Sequence, residues 1–195
     1  MRLFVAIDID DAVRQRIARY IEGVCGFAPD ARWVRPESLH VTLKFIGEKP
    51  SEQMTDIKNT LSSIRENAVE LSFRGHGFFP NTKAPRVFWV GIECGPQLSA
   101  LAKTVDEALS ELDIPRETHP YSPHLTLARG GGGSGTPRWR KGDGPNKDFQ
   151  HLMEKLQALP TPEFGAITAR KFFLYESQLL RGGAHYTKMA EFSLQ

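Results

Sequence analysis

His40-Val41-Thr42-Leu43 and His124-Leu125-Thr126-Leu127 are near copies of one tetrapeptide, 84 positions apart in a chain of 195 residues. In an extended strand, residues two apart project from the same face, so each copy offers one imidazole and one hydroxyl on a single surface. The alternate positions, Val41, Leu43, Leu125 and Leu127, are apolar and point the other way, into a core. A separation near half the chain length implies a duplicated unit with pseudo-twofold symmetry. If the two halves face one another across a groove, two histidines and two threonines converge on one small volume.

Strands and helices follow outward from these two motifs. Leu3 to Asp8 reads as a buried strand, and Asp10 or Asp11 caps a helix whose apolar stripe is Val13, Ile17, Ile21 and Val24. A short extended piece surrounds Trp33, and His40 to Ile46 is a strand. Ser51 opens a second helix along Met54, Ile57, Leu61 and Ile64; Val69 to Phe73 and Val87 to Ile92 are strands. A third helix runs from about Gln97 to Leu112, His124 to Ala128 is the next strand, and a fourth helix spans about Phe149 to Leu159. Strand candidates at Ile167–Ala169, Lys171–Tyr175 and Tyr186–Phe192 close the chain. Some strands adjoin and others are separated by a helix, which argues an α+β fold with a largely antiparallel sheet.

At 40% hydrophobic and 25% charged residues, the composition is that of an ordinary globular protein and excludes disorder, collagen and a disulfide scaffold. No apolar run approaches the ~18–20 residues that a bilayer span needs, and Asp8 interrupts the N-terminal apolar stretch too early for a signal peptide. Cys25 and Cys94 form no paired motif and read as two buried free thiols in a reducing cytoplasm. The net charge is +2, yet Arg129 to Lys147 carries five basic residues and the single acid Asp143. That basic patch implies a polyanionic partner met at one place, or else a solvated surface loop.

Two histidines with two hydroxyls suit phosphodiester chemistry. Breaking a P–O bond takes a base for the attacking oxygen and an acid for the leaving one, and an imidazole serves as either near neutrality. Hydroxyls beside them can hold the non-bridging oxygens, where charge builds in the transition state. With six His and eleven Thr, chance supplies about 0.3 His-x-Thr matches in a chain this long. There are three. His185-Tyr186-Thr187 is the third, and it reads as a decoy because Lys188 follows it and Tyr186 is a poor core residue.

In these contexts the sequence resembles the two-histidine phosphoesterase superfamily, and within it the bacterial and archaeal RNA 2′,3′-cyclic phosphodiesterases, also called 2′-5′ RNA ligases. The likeness runs through Arg2–Ile7, Leu39–Glu48, Phe79-Pro80, Pro85–Gly91, Ser122–Arg129, Leu174–Ser177 and Gly182-Gly183-Ala184. It implies a bilobal α+β fold, a single domain of two intertwined pseudo-symmetric lobes over residues 1–195, with antiparallel sheets lining a central groove and helices outside. It also implies opening of a terminal 2′,3′-cyclic phosphate to a 2′-phosphomonoester without metal or other cofactor, with reversible 2′-5′ joining when a 5′-hydroxyl replaces water. His40 and His124 match the catalytic pair, Thr42 and Thr126 the phosphate-holding hydroxyls, and Arg129 the arginine just past the second motif. We expect His124 as general base and His40 as general acid, although symmetry leaves the reverse assignment open.

Arg129 lies five positions after His124, so an unbroken strand aims it away from the histidine face. Either the strand ends or bulges near Ala128, which is the reading adopted here, or Arg129 serves structure alone. Lys44 shares parity with His40 and is an expected RNA contact. Arg138, Trp139, Arg140 and Lys141, which follow the glycine-rich run Gly130–Gly135, read as a stacking and phosphate-contacting element for single-stranded RNA. The expected partner is RNA with a 2′,3′-cyclic phosphate end, tRNA fragments included, met by a cytoplasmic monomer away from membranes. Competing readings are a phosphodiesterase for a small cyclic nucleotide or ADP-ribose cyclic phosphate, and an RNA-binding module without turnover. A metallohydrolase finds only the weak pair His119 and His124, and no Gly-Lys-Ser/Thr follows the glycine run. His76, His119 and His151 take no assigned role.

Overall fold

The computed structural model describes residues 1–130, 146–180 and 183–195. In chain order its elements are β1 (Arg2–Asp8), α1 (Asp11–Val24), β2 (Arg32–Trp33), β3 (His40–Glu48), α2 (Met54–Ser62), β4 (Val69–Phe79) and β5 (Val87–Cys94). Then follow α3 (Pro96–Ser110), β6 (His124–Arg129), α4 (Lys147–Gln157), β7 (Glu163–Ala169), β8 (Lys171–Leu180) and β9 (Gly183–Ser193). Helix boundaries come from local capping. Asp10 accepts a hydrogen bond from the Val13 amide at 2.8 Å and starts α1, while Asn146 accepts one from the Phe149 amide at 3.0 Å. The Asn146 cap places the start of α4 two residues earlier than its apolar stripe indicates. Ser51–Gln53 form a 3₁₀ turn after Pro50, so the regular α2 begins only at Met54.

The strands form two antiparallel sheets, one ordered β3-β1-β8-β9 and the other β2-β6-β5-β4-β7. The two are built on one plan. In each, a histidine-bearing strand (β3, β6) flanks a strand with a long apolar run (β1, β5), which is followed by a long strand (β8, β4) and an edge strand (β9, β7). The first sheet draws strands from both ends of the chain, so the halves interlock. The fold is the expected α+β one, with helices packed against both sheets.

One continuous apolar core joins the sheets and all four helices. It takes Val13 and Ile17 from α1, Ile57 and Leu61 from α2, Leu101 and Val105 from α3, and Phe149 and Leu152 from α4. From the sheets it takes Leu3, Val5, Ile7, Val41, Phe88, Val90, Leu125 and Leu127. A second, smaller cluster of Phe4, Ala6 and Tyr175, flanked by Phe173 and Tyr186, lies on the other face of the first sheet. A strand with residues 3–7 all buried serves both clusters at once, which is why β1 reads as a continuous hydrophobic run rather than an alternating one.

β4 is longer than the expected Val69–Phe73 because it continues past Gly75, where φ is +69°. The pairing with β5 shifts register there, between Phe73 and His76. This glycine-centred bulge breaks the period-two pattern without ending the strand. Phe88 is fully buried in the main core, its ring 4.9 Å from that of Phe78. Replacing Phe88 by Ala is expected to lower the unfolding free energy by about 3–5 kcal/mol, measured by urea titration. A loss under about 1 kcal/mol would mean that this part of the core is not close-packed.

Candidate active site

β3 and β6 approach one another, each presenting its histidine and threonine on the face away from the main core, the groove face. Both imidazoles are held in the same way. Nδ1 of His40 lies 2.7 Å from the carbonyl of Ser38, and Nδ1 of His124 lies 2.8 Å from the carbonyl of Ser122. A carbonyl can only accept, so Nδ1 carries the proton in both rings and Nε2 is left available on the neutral imidazole. Aromatic rings brace each imidazole: Phe4 at 4.7 Å and Tyr186 edge-on at 5.1 Å for His40, and Phe79 edge-on at 4.9 Å for His124.

Burial pushes the pKa of His40 down to about 4; the Ser38 carbonyl and Asp8 oppose the fall, while Arg129 and His124 add to it. Burial likewise lowers His124, opposed by the Ser122 carbonyl and reinforced by Arg129. His124 and Arg129 are thus near enough to act electrostatically on His40, so three of the expected site residues share one field.

Matching bulges decide which further residues reach the groove. On β3, pairing with β1 passes from Thr42 opposite Ala6 to Lys44 opposite Val5, leaving Leu43 as an extra residue. On β6, Thr126 opposite Trp89 is followed by Ala128 opposite Phe88, leaving Leu127 extra. Two consecutive residues therefore turn inward in each strand, Leu43 and Lys44 in one and Leu127 and Ala128 in the other. Arg129 consequently rejoins the histidine face, as a bulge near Ala128 predicts. Lys44 does the opposite. It is 2% exposed, with Nζ 2.6 Å from Asp106 on α3 and 2.6 Å from the Pro115 carbonyl. Lys44 is no groove residue and no RNA contact; it clasps β3 to α3 and to the segment leading into the second motif. Tyr121 adds a second tie, its hydroxyl donating to the Thr42 carbonyl at 2.9 Å.

In the third His-x-Thr motif, His185 and Thr187 are exposed. Its middle residue is not. Tyr186 turns onto the groove face against His40 and Phe4, and Arg129 and Arg2 lie near enough to influence it. Trp89 is a further residue that the motifs do not single out. Its indole lies over Gly77, where an added Cβ would be 2.2 Å from the ring, and 5.0 Å from Phe79. The signal for these rings is an aromatic or apolar residue on the off-core parity of a strand already apolar on its core parity.

The surroundings of the two histidines differ in charge. Asp8 is the register partner of His40, whereas Gly91 is the partner of His124. Burial alone would raise the Asp8 pKa, but Lys188 at 2.5 Å and Arg14 at 2.6 Å hold it below the usual carboxylate value. Cys25 and Cys94 are free but half-exposed, not buried as expected. Arg138, Trp139, Arg140, Lys141 and the rest of the glycine-rich run, Gly131 to Gly135, fall outside the described residues. Among the described residues, no three His, Cys, Asp or Glu side chains gather as a metal site, and no helix is long and apolar enough to cross a membrane.

Residues 7–89 and 90–186 each match the family model of LigT-like phosphoesterases, and each stretch holds one copy of the motif. The chain belongs to this family. Among its relatives, an RNA 2′,3′-cyclic phosphodiesterase of Archaeoglobus fulgidus is 33% identical over 98% of this chain and 99% of its own. A Thermus thermophilus protein of known structure superposes with a TM-score of 0.76 at 30% identity, covering 99% of this chain and 97% of its own. E. coli LigT complexed with 3′-AMP gives a TM-score of 0.77 at 25% identity, covering 100% of this chain and 98% of its own. The paired family matches agree with the two-sheet plan of this LigT-like phosphoesterase.

The depressed pKa of His40 has a consequence for stability. Between its ordinary value of 6.5 and about 4, the unfolded chain binds a proton at this residue that the native state refuses. Native stability therefore falls as pH drops through that window. In urea unfolding from pH 7.5 to 4.5, wild type should lose stability relative to His40→Asn. Parallel curves for the two proteins would contradict the burial effect.

Proposed function

We propose that this chain is an RNA 2′,3′-cyclic phosphodiesterase that opens a terminal cyclic phosphate to a 2′-phosphomonoester. The observation that supports it best is the matched pair of imidazoles, each with Nδ1 committed to the carbonyl two residues earlier and Nε2 left for the groove. The names carried by full-length relatives at about 30% identity agree with this reading. His124 Nε2 takes a proton from water as its oxygen attacks phosphorus. The bond from phosphorus to the 3′ oxygen breaks, and His40 gives that oxygen its proton. Water's second proton stays on the new phosphate until it leaves for solvent. Thr42, Thr126 and Arg129 hold the non-bridging oxygens, where a fixed cation and hydroxyl dipoles favour the charge of the transition state. With a 5′-hydroxyl in place of water, the same steps join RNA ends through a 2′-5′ bond.

The lowered pKa values fit a site that charges only when filled. With both imidazoles reluctant to ionise in the empty groove, the cyclic phosphate's own negative charge favours the imidazolium that the acid step needs. A bell-shaped kcat/KM profile should peak below pH 6.5, with the kcat profile displaced to higher pH because the bound anion favours the protonated acid. A kcat/KM optimum at pH 8 or above would overturn this.

An oligonucleotide ending in a 2′,3′-cyclic phosphate provides the direct assay. Wild type should yield the 2′-phosphomonoester, and His40→Ala and His124→Ala should each lose about 10²–10⁴-fold in kcat. Exclusive formation of a 3′-phosphate, or near wild-type turnover by either variant, would overturn the proposal. Because the pair supplies both proton transfers, turnover should survive excess EDTA, and its abolition there would contradict metal-free catalysis.

A further inference from the structure

The carbonyl that holds Nδ1 of His40 belongs to the Ser38–Leu39 peptide, and that peptide is itself gripped from behind. A trans peptide points its C=O and N–H in opposite directions. Here the C=O faces the imidazole, and the N–H, that of Leu39, donates to the Pro36 carbonyl at 3.2 Å. The same Pro36 carbonyl accepts from Nη1 of Arg14 at 2.6 Å, with the Leu39 carbonyl 3.5 Å from that nitrogen. Arg14 stands near the start of α1.

The other arm of the guanidinium reaches β1. Nη2 donates to Asp8 Oδ1 at 2.6 Å and to the Ile9 carbonyl at 3.0 Å. Asp8 lies across from His40 in the strand register, and its second oxygen takes Lys188. One largely buried cation therefore grips both the turn that hands His40 its carbonyl and the carboxylate beside that residue. A planar fork of donors can serve two such sites at fixed spacing, whereas an ammonium is a point charge.

The approach to the second motif is tied by other means. Lys44 binds the Pro115 carbonyl, Asp106 accepts the Glu117 amide at 3.1 Å, and the Tyr121 hydroxyl donates to the Thr42 carbonyl. The contacts of Arg14 serve the first motif.

Resting on the phosphodiesterase reading above for its catalytic consequence, we propose that Arg14 is a positioning residue for the general acid His40. By locking the Ser38–Leu39 peptide, it keeps the proton of the neutral ring on Nδ1 and aims Nε2 at the groove. The hydrogen bond made by one ring nitrogen decides which nitrogen carries the proton. With the peptide free to turn, the ring divides between two tautomers, and only one of them leaves Nε2 ready to be recharged between turnovers.

The test reads the tautomer directly, from two-bond ¹H–¹⁵N spectra of the imidazoles at pH 7.5, beside turnover of an oligonucleotide ending in a 2′,3′-cyclic phosphate. In wild type both His40 and His124 should be protonated at Nδ1. Arg14→Met should move His40 toward the Nε2–H tautomer and leave His124 as it was. Its kcat should fall about 10–100-fold, with KM changed by less than about twofold. Arg14→Lys, which keeps one charge and reaches one side of the fork, should fall between the two and decides the matter if Arg14→Met does not fold. An unchanged His40 tautomer in the folded variants overturns the proposal and assigns Arg14 to the fold, whatever happens to kcat or the thermal midpoint. An equal tautomer change at His124, or wild-type kcat, overturns it as well. Failure of wild type to open the cyclic phosphate overturns the phosphodiesterase reading instead, and the spectra still decide whether Arg14 positions His40.

Discussion

The molecule depends on a one-residue irregularity used twice. A regular strand through His40 or His124 would send every second residue into the groove and bring Lys44 there while keeping Arg129 and Phe45 out. By turning two consecutive residues inward, at Leu43-Lys44 and at Leu127-Ala128, each strand keeps its histidine and threonine on one face and then exchanges faces. The inward pair anchors the strand, through core packing in β6 and through the buried Lys44–Asp106 ion pair in β3. Bulges bend strands and re-aim side chains, and here the re-aimed side chains are those that flank the two imidazoles.

The same faces explain why the first sheet has two apolar surfaces. Leu3, Val5 and Ile7 pack into the main core, while Phe4 and Ala6 join Tyr175 on the groove side. Burying aromatic rings against an imidazole excludes water from one flank of the ring, which disfavours its charged form. The low pKa of His40 and the aromatic lining of its wall are therefore one physical fact. His124, with Phe79 beside it, shares the effect.

The fold and the paired motifs are legible in the sequence because they rest on periodicity. The stripes of Val13, Ile17, Ile21 and Val24, and the alternation in His40–Leu43, survive as written in the structure. What does not show is whatever breaks the period. Parity assigns Lys44 to the groove, yet it sits in the interior, because parity does not pass through a bulge. β4 runs six residues further than expected because Gly75 and Gly77 look like an ending. Tyr186 is hidden inside a motif whose histidine and threonine face solvent, since a period-two pattern has two faces and the polar one draws the eye. Arg129 is recovered only by assuming the irregularity that Lys44 needs as well.

Gly91, across from His124, has a significance beyond its lack of charge. A Cβ there would sit 2.5 Å from the carbonyl oxygen of Arg74, an atom of the main chain that no rotamer change can move aside. Opposite His40 the matching place holds a carboxylate, Asp8, whereas the place opposite His124 can take no side chain without rebuilding β4. A carboxylate therefore cannot be placed opposite His124 by substitution at Gly91, and the charge difference between the two histidine surroundings is fixed by the close approach of the β4 main chain.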